Sequence, residues 1–276
     1  MPESIYRHIA DLLDAGRRCA LVTIIQTIGS VPRQPGAKML VTDEGEVLGT
    51  VGGGCVEADL FALAQEALAR REILTKTVDL SVKSQDEIDM FCGGKVTAVI
   101  EPLEGTPRLV IFGGGHISQA LHRICAPLGF HVTVTDDRPR FANEERFPGA
   151  ETLAMPFERQ VEELNLTPAT FVVIVTRGHE ADEVVLQQVL GKPLRYLGLI
   201  GSRSKWKRIR GNLARMGHTE EQLDRVVCPI GLNIHAETPE EIAVAVAAQL
   251  IAVKNHDSPK ARRHRARSGA AEVSGD

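Results

Sequence analysis

The stretch that most restricts this chain is residues 108–137, RLVIFGGGHISQALHRICAPLGFHVTVTDD. An apolar run at 109–112 meets three glycines, then a helical pattern, then a second apolar run ending in Asp136 and Asp137. A strand, tight turn, helix and strand in that order form the unit that holds a nucleotide phosphate. Gly113 and Gly115 allow the turn and a close backbone approach, with Gly114 between them. The amides that open the next helix, beginning at His116, then face outward as an anion site. Ser118 stands where the pattern has its third glycine, a position that needs only a small residue for helix–strand packing. Asp136 lies about twenty residues on, where a carboxylate accepts a ribose hydroxyl. The plainer alternative is a tight turn that holds no ligand.

A chain of 276 residues has room for two domains. Residues 101–107, EPLEGTP, carry two prolines and a glycine without periodicity and read as the boundary. Beyond it strand and helix patterns alternate. Strands are expected at 109–113, 131–136, 151–154, 171–176, 195–200 and 225–228, and helices at 116–128, 157–164, 181–190, 203–216 and 239–253. The last helix opens with Thr238, Pro239, Glu240 and Glu241, a capping box with proline at its first position. The alternation implies an α/β fold, a Rossmann-like doubly wound parallel sheet over 105–255. A smaller α+β domain over 1–104 precedes it, with a helix at 3–15, a β-rich run at 19–27 and a hairpin from 39–42 to 47–51. A helix from Cys55 to about residue 71 and strands at 73–80 and 96–102 complete it. Residues 256–276 are basic, small and aperiodic, and should be a disordered tail.

A net charge of −4 gives no reason to expect nucleic acid or an acidic membrane. Residues 1–20 lack the apolar core of a signal peptide, so the cytoplasm is the expected compartment. Nothing approaches the run of about eighteen apolar residues that a membrane span needs. In that compartment the five cysteines should be thiols, and none has the CxxC spacing of a structural zinc site.

In a doubly wound sheet the ligand crevice lies outside the carboxyl ends of the strands. Topology alone brings four loops there. The first holds Gly113–Ser118 with His116; the second holds Thr176, Arg177, Gly178, His179 and Asp182. The third holds Ser202 and Arg203, and the last Cys228 and His235. Arg203, at a helix start, is placed to reach a phosphate. Lys205, Lys207, Arg208 and Arg210 read as a solvated face opposite the apolar stripe of Trp206, Ile209, Leu213 and Met216.

The first domain is more suggestive in its chemistry. Cys55 follows three glycines and opens a helix, where the macrodipole favours a thiolate. Cys92 precedes two glycines, with Lys95 close by. Thiolates are soft ligands for transition metals and their sulfur, so Cys55 and Cys92 are the candidate metal ligands. Cys19 and Cys125 lie in apolar patterns and read as inert. Arg33 and Lys38, in the loop GSVPRQPGAKM at 29–39, supply positive charge to an anionic ligand or merely punctuate a turn.

Taken together, GSVPRQPGAKM, GTVGGGCVEA, MFCGG, VIFGGGHIS with TDDRPRFA, TRGHEAD and LIGSRSKW resemble the XdhC/CoxI family. The motifs lie in order over roughly 5–253. The resemblance implies an accessory protein of xanthine dehydrogenase and related molybdenum hydroxylases. Such a protein holds the molybdenum cofactor (molybdopterin), lets a cysteine desulfurase install its sulfido ligand, and delivers it to the apo-enzyme. It further implies a homodimer and no catalysis of its own. On that reading Cys55 and Cys92 approach the molybdenum, while the second domain takes the phosphate side. Two alternatives remain at this level: an NAD(P)-dependent oxidoreductase, and a nucleotide- or redox-sensing regulator.

Overall fold

The computed structural model describes residues 2–80 and 94–256. The chain divides into two compact units, with the break between Gly105 and Thr106.

The first unit runs α1 (Pro2–Asp14), β1 (Arg18–Ile28), β2 (Lys38–Thr42), β3 (Val47–Gly49), α2 (Gly54–Arg70), β4 (Leu74–Asp79) and β5 (Lys95–Glu104). Its five strands form one antiparallel sheet in the order β3-β2-β1-β5-β4. Successive side chains of a strand point to opposite faces, so β1 feeds two cores. Ala20, Val22 and Ile24 pack with Leu60, Ala64 and Ala67 of α2. Cys19 and Leu21 pack with Ile5, Ile9 and Leu12 of α1. A register shift between Ile24 and Gln26 leaves Ile25 as an extra residue, and its side chain is exposed.

The fifth strand runs further than its expected end at 102. Residues 101–104 belong to β5, which pairs with β1 as far as Glu104. Pro102 is tolerated there because pairing with β4 goes no further than Leu74 opposite Ile100, leaving that side of β5 an open edge among the described residues.

The second unit runs β6 (Arg108–Phe112), α3 (His116–Cys125), a 3₁₀ turn, β7 (His131–Asp136), β8 (Glu151–Ala154), α4 (Phe157–Gln160) and β9 (Thr170–Ile174). It continues through α5 (His179–Val189), β10 (Tyr196–Leu199), α6 (Arg203–Arg215), α7 (Glu220–Asp224), β11 (Val226–Val227) and α8 (Pro239–Asn255). All six strands are parallel, in the order β11-β10-β9-β6-β7-β8. This is the expected α/β sheet. Its central strands are buried on both faces, as parallel strands covered by helices must be. Leu109 and Ile111 join Val246 and Leu250 of α8 in one core, while Val110 and Phe112 join Val185 and Leu186 of α5 in the other. The capping box of α8 is present: Thr238 Oγ1 accepts from the Glu241 amide, and the Glu241 carboxylate accepts from the Thr238 amide.

Two helices differ from expectation. The helix read at 157–164 stops at Gln160. Past it, the amides of Glu163 and Leu164 bond three residues back, to Gln160 O and Val161 O, a tighter turn than the α-helix. The short α7 was not anticipated; its Thr219–Gln222 capping box is the signal that was there to read.

Candidate functional site

The glycine turn of the second unit sits between the ends of β7 and β9. Gly113 donates its amide to Thr135 O at 2.7 Å, and Val175 donates to Phe112 O at 2.9 Å. With φ +106° and Val175 O only 2.5 Å from where a Cβ would stand, Gly113 admits no side chain. A Cβ on Gly114 would lie 2.2 Å from Phe141 O. Gly115 is different: it caps α3, and a Cβ there would meet nothing within 4 Å. The turn is therefore closed behind and open in front, and the front faces the start of α3, where backbone donors lack helical partners. His116 is exposed beside that opening, whereas Ser118 is buried and its hydroxyl donates to Gly113 O. Ser118 stitches the turn from within.

Asp136 stands at the expected place but is oriented otherwise. It is 1% exposed, and its Oδ2 accepts from the Gly114 amide at 2.9 Å and from Arg138 Nη2 at 3.0 Å. Its Oδ1 accepts from the Arg138 amide at 3.1 Å and from Arg138 Nε at 2.7 Å. Burial opposes ionisation of this carboxyl, but the Arg138 guanidinium and the two amides outweigh it and hold the carboxyl below its usual range. As the chain stands, Asp136 already accepts four hydrogen bonds from the protein. A neighbouring arginine and the turn's own amide occupy both oxygens. Asp137 pairs instead with Arg177 at 2.7 Å. Because β7 and β9 flank β6, this ion pair spans the carboxyl end of β6, above the glycine turn.

The loop after β7 was missed as part of the site. Three guanidinium groups surround the Phe141 ring, those of Arg138 at 3.7 Å, Arg146 at 5.1 Å and Arg140 at 5.2 Å from its centroid. Arg146 also donates to Gly114 O at 3.1 Å. The signal in the sequence was RPRF with a further arginine five residues on, directly after the strand that follows the glycine helix.

At the neighbouring strand ends, Asp182 is wholly buried. Thr176 Oγ1 donates to it at 2.6 Å, and Lys205 Nζ lies 2.5 Å from its other oxygen. Lys205 also donates to Ile200 O at 3.0 Å. Burial pushes the Asp182 carboxyl upward, against the opposing pull of Lys205 and Thr176. Lys205, read as solvated, is instead the counter-ion that ties α6 to α5. Ser202 spends its hydroxyl accepting from the Lys205 amide at 3.2 Å, as the N-cap of α6. Arg203 and His179 are exposed at the first turns of α6 and α5. Cys228 donates to Gly201 O at 3.6 Å, and burial raises its thiol pKa.

His122 lies one turn beyond Ser118 on α3 and is 5% exposed, with its ring edge-on to Phe147. Neither ring nitrogen has a hydrogen-bond partner among the described residues. Burial and Arg123 push its pKa below the ordinary 6.5, so the folded protein holds it neutral. Below that pH the unfolded chain binds a proton that the folded chain refuses, and stability falls as pH drops through the lowered folded value. Thermal midpoints should decline from about pH 7 to about pH 5, and more steeply than in His122→Phe, which cannot titrate. Parallel pH profiles for the two proteins would remove His122 from the account.

In the first unit Gly52 and Gly94 both close on the loop between β1 and β2. A Cβ on Gly52 would lie 2.7 Å from Pro32 Cγ. A Cβ on Gly94 would lie 2.5 Å from Ile28 O and 2.7 Å from Ser30 O. The loop between β1 and β2 is thus held between the turn that launches α2 and the residue that leads into β5. Cys55 is the second residue of α2, at the positive end of its dipole. Cys92 lies outside the described residues, two positions before Gly94. Arg33 is exposed on the loop, while Lys38 belongs to β2 and donates to Thr23 Oγ1 at 3.0 Å. Cys19 and Cys125 are buried, and burial raises their thiols to about 11 and about 12. Among the described residues no three His, Cys, Asp or Glu side chains are placed to share a metal ion.

A family model described as the XdhC Rossmann domain matches residues 109–250, and one described as the XdhC and CoxI family matches residues 12–79. The chain belongs to the XdhC and CoxI family. Similar proteins of known sequence include YqeB of Escherichia coli, 35% identical over 92% of this chain, which spans 47% of that protein's length. A probable xanthine dehydrogenase component of Bacillus subtilis is 27% identical, over 87% of this chain and 94% of its own. The molybdenum cofactor insertion chaperone PaoD of E. coli is 25% identical, over 92% and 89%. A crystal structure described as a xanthine dehydrogenase from Bacillus halodurans is 25% identical, covers 91% of this chain and 95% of its own, and has a TM-score of 0.50. In this XdhC/CoxI chain no helix among the described residues is long and apolar enough to cross a membrane.

Proposed function

We propose that this protein is an accessory factor in the maturation of a molybdenum hydroxylase, holding the molybdenum cofactor as cargo and passing it to the apo-enzyme. The observation that carries the reading is the close approach of Gly52 to Pro32 and of Gly94 to the Ile28 and Ser30 carbonyls in the first unit. It brings the turn that launches Cys55 and Gly94, two positions after Cys92 in the sequence, against one loop, which also carries Arg33. Two soft thiolates suit a molybdenum centre and its sulfur, and a guanidinium suits an anionic pterin phosphate. The names of the B. subtilis and E. coli relatives support the same role.

At a finer level, the cargo is sulfurated while bound, with a cysteine desulfurase as the sulfur donor and a xanthine dehydrogenase-like enzyme as the client. The second unit binds a nucleotide at the Gly113–Gly115 turn, where the open space at Gly115 and the start of α3 suit a phosphate. That ligand is a nucleotide of the NAD(P) type.

Alkylation mapping under anaerobic conditions tests the cysteine assignment. Cys55 and Cys92 should be modified in the free protein and protected once the cofactor is loaded, with buried Cys125 unreactive in both. Equal labelling of both cysteines with and without cofactor would remove them from the cargo site.

A further inference from the structure

We propose that the glycine turn of the second unit selects a nucleotide carrying a ribose 2′-phosphate, NADP(H) over NAD(H), and that Arg140 receives that phosphate. The inference rests on the nucleotide reading above and specifies the ligand.

A doubly wound domain that takes NAD presents a free carboxylate at the end of the strand after the glycine helix, and the two ribose hydroxyls donate to it. Here the carboxylate at that position has nothing left to accept with. Asp136 Oδ1 takes the Arg138 amide and Nε, and Oδ2 takes the Gly114 amide and Arg138 Nη2. Asp137 does not replace it either: its Oδ2 holds Arg177 at 2.7 Å, and its Oδ1, which has no hydrogen-bond partner among the described residues, is buried.

One charge on the loop suits an anion. Asp136 is matched by Arg138, and Asp137 by Arg177. The same loop also carries Arg140, Glu144, Glu145 and Arg146, and Glu144 accepts from the Gly149 amide. Arg146 is committed to Gly114 O and the Phe141 ring. Arg140 is exposed, its guanidinium 5.2 Å from the Phe141 centroid, and among the described residues no carboxylate lies within ion-pair distance of it. It sits four residues past Asp136, at the ribose end of a ligand whose pyrophosphate lies over Gly115. A guanidinium stacked on an aromatic ring and free of a carboxylate partner is suited to bind a phosphomonoester through two parallel hydrogen bonds. An arginine after this strand is also the usual accommodation for the 2′-phosphate.

Titration calorimetry of the full chain with NADP⁺, NAD⁺ and 2′,5′-ADP tests this without reference to any activity. NADP⁺ should bind about 10-fold or more tightly than NAD⁺, the value of one charge-assisted phosphate contact, and 2′,5′-ADP should compete with it. Arg140→Ala should bring the NADP⁺-to-NAD⁺ affinity ratio close to one, and Arg140→Lys should restore part of it. Equal affinities in the unaltered protein, or a preference for NAD⁺, overturn the selectivity and leave nucleotide binding standing. A preference that survives Arg140→Ala overturns the assignment of Arg140. Binding of none of the three ligands overturns the nucleotide reading as well.

Discussion

Replacing Gly114 by alanine should destabilise the second unit by about 3 kcal/mol or more, lowering its melting temperature by roughly 10 °C. The added Cβ would fall 2.2 Å from the Phe141 carbonyl oxygen. Backbone cannot rotate away as a side chain can, so either the turn or the loop after β7 must shift. Either movement strains the Gly114 amide bond to Asp136 and the Arg146 bond to Gly114 O. The first of these helps keep a buried carboxylate ionised, so its loss adds a desolvation penalty to the steric one. Gly115→Ala is the informative contrast. Its Cβ meets nothing, and its φ of −74° suits any residue. That variant should fold with a loss of about 1 kcal/mol or less from the poorer helix cap, yet bind nucleotide poorly because its methyl occupies the open front of the turn. Calorimetric melts beside nucleotide titrations separate the two. Equal stability of Gly114→Ala and Gly115→Ala would contradict the packing described around the turn.

The second large effect is expected from Lys205→Met, about 3–5 kcal/mol, the usual cost of stripping the partner from a buried charge. Asp182 is wholly buried and keeps only Thr176 as a donor once Lys205 is gone. Its carboxyl already titrates above the ordinary 3.8, and it should rise further in the variant. A raised folded pKa makes stability complete below the unfolded value and progressively lost as pH rises through the folded one. The deficit should therefore be greatest near neutrality and shrink on acidification toward 3.8. Asp182→Asn combined with Lys205→Met removes both charges and should recover much of the loss. Denaturant melts at two pH values measure this. A pH-independent deficit would mean that Lys205 acts through packing alone.

Both effects show which features a sequence can carry. The six strands of the second unit, its glycine turn and the cap of α8 were legible because each is encoded locally, in apolar runs and in residues three or four apart. Asp136 was legible in position but not in orientation. Spacing from the glycines identifies the residue at the strand end, but Arg138, two residues later, competes for it. Lys205 was misread because a helical wheel sees only its own helix. Its partner arrives from 23 positions earlier, across the adjacent ends of β9 and β10. The prolines at 102 and 107 say little about where β5 ends, which its pairing partner decides. The meeting of Pro32 with Gly52, and of Gly94 with Ile28, had no local trace, although the glycines hinted at close approach.

The most direct test of the cofactor-handling role is a determination of what the protein carries when purified anaerobically alongside an expressed molybdenum hydroxylase. Molybdenum is measured by elemental mass spectrometry, and the released organic ligand is identified by mass. Near-stoichiometric molybdenum with a molybdopterin, lost on Cys55→Ser and Cys92→Ser substitution and transferable to the apo-hydroxylase, is the predicted result. Protein free of molybdenum and pterin that oxidises NAD(P)H with carbonyl substrates would contradict it and make the chain an oxidoreductase.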